Sequence, residues 1–562
     1  MNQFALLHEA DSKYCFAIKN DEIIIRLRAS KEDKIDVYLV YGPKYEFHNN
    51  RYKAKMKIQY EDSLYKYYEK KLKLKDLRLA YIFEIYENGK KYFFCEDGLV
   101  INYDFENAFY NFYQMPYINE NDRVKVVDWM QGAVFYQIFV DRFNIGRSSK
   151  DKSYIDMKWG DKPTPKNFAG GDLRGIIEKL DYLKELGITA IYLTPIFLSI
   201  SNHKYDISDY KKIDPMFGDK DDLKELVQKA HKKNIRIVLD AVFNHCSMNI
   251  AQFQDVIKNG TKSKYYNWFI IDGEYPEPEK GNYECFASCN YMPKFNTSNE
   301  EVQDFLLDIA VYWIKECDID GWRLDVSDEV SHDFWRRFRK AVKGVKSDCV
   351  IIGENWHDAY TYLMGDQYDS IMNYAFTKAC LDYFAKDRLD AKGMAAKLNQ
   401  ILMRNNSLIN SMMLNLVDSH DTLRFFTELG CNKKKQLCAL MLATVFPGAL
   451  CVYYGTEICM EGGYDPDSRR CFNWNQDEWD TEFLKEFKKI LKMKKDDVIR
   501  YGTITASEKN GLLVVVREYK CEKIVLEMNM TKKAVNGIEP FKYRVIRKGE
   551  YNEKKIGCNV AS

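Results

Sequence analysis

Residues 172–193 read DLRGIIEKLDYLKELGITAIYL, and this stretch decides the fold. Leu173, Ile176, Ile177, Leu180 and Leu183 recur at helical spacing and put an apolar stripe on one face. Asp172 can cap the start of that helix and Gly187 its end. After Gly187 the period changes, and Ile188-Thr189-Ala190-Ile191-Tyr192-Leu193 has the apolar pattern of a strand buried on both faces. The unit repeats, with Leu223, Leu226, Val227 and Ala230 on a helix face ahead of the strand Ile235-Arg236-Ile237-Val238-Leu239. Further strand runs lie at 133–140, 321–326, 350–354, 368–373, 412–418 and 450–454. With the first two they make eight, which predicts an α/β chain built on a closed (β/α)8 TIM barrel.

Outward from the barrel the texture differs. Between about residues 20 and 100, runs such as Glu22-Ile23-Ile24-Ile25-Arg26-Leu27-Arg28 alternate apolar and polar side chains, the mark of an all-β module. After about residue 503 short alternating strands return, including Leu512-Leu513-Val514-Val515-Val516-Arg517, behind a helix carrying Phe483, Phe487, Ile490 and Leu491. The expected organisation is an N-terminal β-sandwich over 1–120 and a catalytic barrel over 121–245 and 301–480. A protruding B domain takes 246–300, and a linking helix with a small C-terminal β-domain takes 481–562.

Composition narrows the partners. Hydrophobic residues at 46% and charged residues at 30% support a buried core and exclude a largely disordered chain. Lys plus Arg number 84 against 83 Asp plus Glu, so no global field favours nucleic acid or an anionic membrane. A neutral partner such as a sugar fits. No stretch reaches the ~20 apolar residues of a membrane span, and the start lacks a signal-peptide pattern, which predicts a cytoplasmic protein. Fifteen scattered cysteines suit free thiols in a reducing compartment. Cys285 and Cys289 form a lone CxxxC, and two ligands do not close a metal site.

A barrel active site lies at the carboxyl ends of the strands, so ionisable residues are expected where each apolar run stops. They are there: Asp240-Ala241-Val242-Phe243-Asn244-His245 after the third strand, Arg323-Leu324-Asp325 on the fourth, Glu354-Asn355-Trp356 after the fifth and Asp418-Ser419-His420-Asp421 after the seventh. One Asp after a strand is commonly a helix cap; an ordered set on successive strands is not. Crowded carboxylates repel one another, so a cluster of them implies use. Glycosidic bond cleavage uses such a set, one carboxyl protonated for the leaving oxygen and one ionised opposite, at ~5–5.5 Å in a retaining enzyme. Arg323 lies two residues before Asp325 on one strand, so both point to one face and the guanidinium is expected to depress the Asp325 pKa.

These segments resemble, in order, the conserved regions of the α-amylase family of glycoside hydrolases over about residues 130–480. The resemblance implies Asp325 as nucleophile, Glu354 as general acid/base and Asp421 as the third carboxylate gripping the sugar. It assigns Arg323, His245 and His420 to the subsite of the reacting sugar, Tyr205 in His203-Lys204-Tyr205-Asp206 to the stacking platform, and Asp465 and Arg469 to the inner subsites. His203 and Trp356 join them as substrate-binding candidates. Met292-Pro293-Lys294, Glu329 and the N-terminal module are similar to the neopullulanase, cyclomaltodextrinase and maltogenic amylase group. That group implies maltodextrin, cyclodextrin or pullulan as substrate and a homodimer whose N-terminal module covers a partner's cleft. Asp328 and Asn355 depart from its pattern, which leaves transglycosylation and α-1,6 cleavage open beside α-1,4 hydrolysis. A non-catalytic carbohydrate-binding protein is the rival outside the enzyme class, and retention of all three carboxylates argues against it. The resemblance also points to a calcium site around Asn144 and Asp172. Hard cations take about six to eight oxygens, and Asn144-Ile145-Gly146-Arg147-Ser148-Ser149-Lys150 lacks the run of carboxylates that would supply them. No cofactor is therefore expected to be required.

Overall fold

The computed structural model describes residues 1–146 and 150–549. Arg147, Ser148 and Ser149 of the loop quoted above, and the last residues of the C-terminal segment, lie outside the described residues. Eight parallel strands form one sheet: β1 Val134–Ile138, β2 Ala190–Leu193, β3 Arg236–Ala241, β4 Gly321–Leu324, β5 Val350–Gly353, β6 Ser370–Ile371, β7 Leu414–Asn415 and β8 Ala449–Tyr453. β1 pairs with both β2 and β8, and a parallel bridge from Met372 to Leu414 joins the β6 and β7 ends, which closes the barrel.

Strand pleat explains where chemistry can sit. Successive side chains face opposite sides. Tyr136, Ile138, Ile191, Leu193, Ile237 and Leu239 point outward into a core shared with the surrounding helices, while Phe135, Ala190, Val238 and Val350 fill the barrel interior. Two residues further along β1 to β4, the same inward face carries Gln137, Tyr192, Asp240 and Arg323, and Asp240 and Arg323 are register partners. The interior thus turns from apolar to polar at the carboxyl ends.

Leu173, Ile176, Ile177, Leu180 and Leu183 are buried as their spacing predicted. The helix is in two pieces, Leu173–Glu178 and Leu180–Leu186, with Lys179 leaving helical geometry between them. Asp172 caps the first piece through Gly175 N–H, and Gly187 ends the second at φ 95°, a conformation that glycine adopts without a Cβ penalty. Leu223, Leu226, Val227 and Ala230 are buried on the next helix.

The N-terminal module is a sandwich of a four-stranded and a six-stranded antiparallel sheet. Ile23, Ile25 and Leu27 on one sheet meet Val37, Leu39, Phe83 and Ile85 of the other in a core of their own. A four-stranded antiparallel sheet over Thr503–Lys548 follows the helix Thr481–Met493. Between β3 and the helix Glu300–Cys317, the excursion folds on short bridges, His245 to Lys294 and Phe269 to Phe295 among them.

Candidate active site

Arg323 organises the polar end of the barrel. It is fully buried, and Nη1 donates to Asp325 Oδ1 at 2.7 Å and to both carboxylate oxygens of Asp240 at 3.1 Å. Nη2 lies 2.9 Å from Glu354 Oε2 and 4.0 Å from Asp421 Oδ2. Four carboxylates from β3, β4, β5 and the loop after β7 therefore share one guanidinium. Such a group holds more negative charge than one cation cancels, which works against full ionisation of Asp240, Asp325 and Asp421.

Arg323 does pull the Asp325 pKa down, as its place two residues away predicts, but other causes outweigh it. Burial pushes Asp325 well up, and the neighbouring Glu354 and Asp240 push it further, against the pull of Arg323. Asp421 is raised to about 7, first by burial and then by Glu354, with Arg323 and Arg469 opposing. Asp240 is also raised by burial. Retained protons are what an acid-catalysed cleavage requires, and the bond from Arg323 to Asp325 Oδ1 favours the ionised form of that carboxyl against its burial.

Glu354 is oriented at both oxygens. Oε2 accepts Val326 N–H at 3.0 Å as well as Arg323, while Oε1 accepts Trp356 Nε1–H at 3.3 Å. Val326 reaches Glu354 from a left-handed backbone, φ 44°, a strained geometry for a β-branched residue beside the candidate nucleophile. Trp356 lies flat on Tyr374, ring centroids 3.7 Å apart and planes within 4°.

A second network fixes the histidines. Gln137 Nε2 sits 2.7 Å from His420 Nδ1, and His420 Nε2 is 2.6 Å from the Tyr205 hydroxyl and 3.2 Å from Asp421 Oδ1. With the Gln137 amide nitrogen donating, Nδ1 accepts and the ring proton is on Nε2. Tyr205 OH and Tyr192 OH both donate to Asp240 Oδ2, at 3.0 and 2.6 Å. Burial holds His420 well below its usual pKa, His203 at about 4 and His245 at about 3, so all three are neutral.

Above this floor opens a cavity of about 570 Å³. His203, Tyr205, His245, Asp325, Glu354, Trp356, Asp421, Asp465 and Arg469 line it; Arg323 and His420 lie beneath. Asp465 and Arg469 form an ion pair at 3.0 Å, and Arg469 Nη2 also reaches to 3.6 Å from Asp421 Oδ1, so the pair belongs to the cavity wall. Two buried atoms on the wall lack any hydrogen-bond partner, Asp325 Oδ2 and His245 Nε2, and they stand 3.9 Å apart.

Several residues of the cavity and of the network beneath it escaped the sequence reading. Gln137 and Tyr192 look like ordinary strand residues until the barrel closes. Phe286, on the excursion after β3, stacks on His245 at 4.8 Å, and Cys289, Tyr291 and His357 also line the opening. Lys294 of the Met-Pro-Lys segment pairs with Glu329 at 3.0 Å and donates to Asn244, tying that excursion to the loop after the nucleophile position. Asn144 and Asp172 do not join the cavity. Asn144 Nδ2 donates to Gly175 O at 3.2 Å, and Asp172 Oδ2 lies 2.9 Å from Lys150 Nζ. Among the described residues, no group of three or more His, Cys, Asp or Glu side chains is placed to hold a metal ion.

A family model described as the alpha amylase catalytic domain matches residues 137–513. The chain belongs to the α-amylase family. Within that family, a model of the N-terminal ig-like domain matches residues 1–119. The chain is similar to the cyclomaltodextrinase of Thermoanaerobacter pseudethanolicus, 42% identical over 534 residues, 94% of this chain and 92% of the relative. Neopullulanase 2 of Thermoactinomyces vulgaris is 38% identical over 497 residues, 87% and 84% of the two chains. A solved cyclomaltodextrinase structure matches with a TM-score of 0.90 at 36% identity, over 95% of this chain and 92% of that one. The α-amylase-family chain is thus a glycoside hydrolase on a (β/α)8 barrel with a sandwich before it and a β-sheet domain after it.

Proposed function

We propose that this α-amylase-family hydrolase cleaves α-1,4-glucosidic bonds in short maltodextrins, cyclodextrins and pullulan, with retention at the anomeric carbon. The observation that carries the reading is the unpartnered Asp325 Oδ2 on the cavity wall, whose sister oxygen is held by Arg323. A buried carboxylate oxygen with no donor is costly unless something fills the place before it. In the proposed reaction Oδ2 attacks the anomeric carbon while the proton on Glu354 passes to the glycosidic oxygen, breaking the bond to the leaving sugar. Water then attacks the same carbon, Glu354 takes its proton, and the bond to Asp325 breaks. Asp421 and His420 hold hydroxyls of the reacting sugar, with Tyr205 as its platform. His203, His245, Asp465 and Arg469 contact the sugars around it, and Trp356 the acceptor side. No cofactor enters this scheme.

The similarity to a cyclomaltodextrinase and a neopullulanase supports the substrate class, and about 570 Å³ suits a short chain. Neither reaction step needs a charged partner, in keeping with a net charge of +1. The test is release of reducing sugar from maltotriose, β-cyclodextrin and pullulan, with product analysis separating hydrolysis from transfer. No release from any of the three would overturn the reading.

The same reading carries a homodimer. Tyr45 and Phe109 stack on the N-terminal module, 64% and 59% exposed, beside Tyr110 at 86%. Exposed aromatic surface of this kind suits contact with a second copy. Sedimentation should give twice the chain mass, and Tyr45→Ser with Phe109→Ser should halve it. Free thiols at the described cysteines other than Cys521 suit a reducing cytoplasm; among the described residues no helix is long and apolar enough to cross a membrane.

A further inference from the structure

Beside the barrel rim, the loop after β1 returns to the helix Leu173–Glu178 through a tight crossing. A Cβ on Gly146 would lie 2.3 Å from Gly175 N, and one on Gly175 would lie 2.0 Å from Asn144 O, so the two backbones touch. Asp172 stands at this crossing, fully buried. Its Oδ1 accepts Gly175 N–H at 2.7 Å and Gly146 N–H at 3.1 Å. Its Oδ2 lies 2.9 Å from Lys150 Nζ, itself only 3% exposed. Lys150 also donates to Gly170 O and, at 3.3 Å, to Met216 O. An ammonium has three N–H donors, and here three oxygens surround it, those of Gly170 and Asp172 ahead of the helix at 173 and that of Met216 after β2.

Calcium does not fit this donor set. Among the described residues one carboxylate contributes, one of its oxygens accepts two N–H groups, and the other faces a cation of the chain's own. A hard divalent ion needs about six to eight oxygens without a competing ammonium among them. We infer that Lys150 is a built-in substitute for a bound divalent cation, its ammonium cross-linking the loop after β1, the start of the helix at 173 and the loop after β2. The link reaches toward the substrate loop. Met216 S contacts Lys204 Nζ at 3.5 Å, and Lys204, buried between His203 and Tyr205, pairs with Asp214 at 2.8 Å.

Breaking a buried pair by removing one partner leaves an uncompensated charge, which gives the test a readout apart from activity. The melting midpoint of the wild-type protein should be the same in calcium as in excess chelator. Lys150→Met should lower it by several degrees in both. Lys150→Asp, which returns an oxygen ligand beside Asp172, should start low and rise on adding calcium. A wild-type midpoint that climbs with calcium and drops on chelation would overturn the inference, as would Lys150→Met melting with the wild type. If Lys150→Met does not accumulate folded, normal folding of the charge-keeping Lys150→Arg supports the inference, and its failure together with Lys150→Met overturns it.

Discussion

Two buried cations pair with carboxylates at the same end of the barrel, one of them with a single Asp and the other with four acidic groups. Lys150 Nζ lies 2.9 Å from Asp172 and donates to two carbonyls, and among the described residues no side-chain atom of this pair is left without a partner. Arg323 faces four carboxylates, and its neighbourhood leaves Asp325 Oδ2 and His245 Nε2 without partners. Balanced polar groups hold a structure together; unbalanced ones cost stability and mark where a substrate supplies the missing contacts. Removing a group should therefore cost stability in the first case and activity in the second.

The largest effect belongs to the unbalanced cluster. Asp325→Asn should reduce turnover of β-cyclodextrin by roughly four orders of magnitude, as removal of a central catalytic group does elsewhere. Relief of like-charge crowding should leave the melting midpoint level or higher; a large fall in stability would place Asp325 with the scaffold. Glu354→Gln comes next. It should cost about 10²–10⁴-fold on maltotriose and far less on an α-glucosyl fluoride, whose leaving group needs no proton, and equal losses on both would refute the acid assignment. Asp172→Asn breaks the balanced pair, for which about 3–5 kcal/mol of stability is the expected cost, with turnover per folded molecule kept. Calorimetry with active-site titration reads both quantities.

The smallest effect is on pH. Asp421 has a folded pKa of about 7 against 3.8 for an unperturbed carboxyl of its kind. Between those values the folded protein keeps a proton that the unfolded chain has lost, so stability falls as pH rises through that window and levels above it. Asp421→Asn should flatten the midpoint between about pH 4 and 7. An unchanged slope would assign the proton to another member of the cluster.

The barrel was legible because its strands are continuous apolar runs and its helices carry a regular stripe, patterns that tertiary packing reinforces. The break at Lys179 carries no such pattern. Asp325, Glu354 and Asp421 stood out because each ends an apolar run. Gln137 and Tyr192 did not, since a polar residue inside a strand reveals its role only when pleat and closure turn it inward. Lys150 reads as a solvated loop residue until Asp172, Gly170 and Met216 surround it. The raised pKa of Asp325 needed the same knowledge: Arg323 is two residues away in sequence, whereas the burial that outweighs it, with Asp240 and Glu354, comes from the closed barrel and its neighbouring strands.

The central claim is that Asp325 Oδ2 is empty-handed because it forms a bond to sugar. A fluorinated α-glucosyl fluoride that loads the enzyme quickly and releases it slowly would trap that bond. Peptide mapping by mass spectrometry should then find one added glycosyl unit, on the peptide and the residue Asp325. An adduct on Asp240 or Asp421, or no adduct from protein that still turns over cyclodextrin, would contradict it.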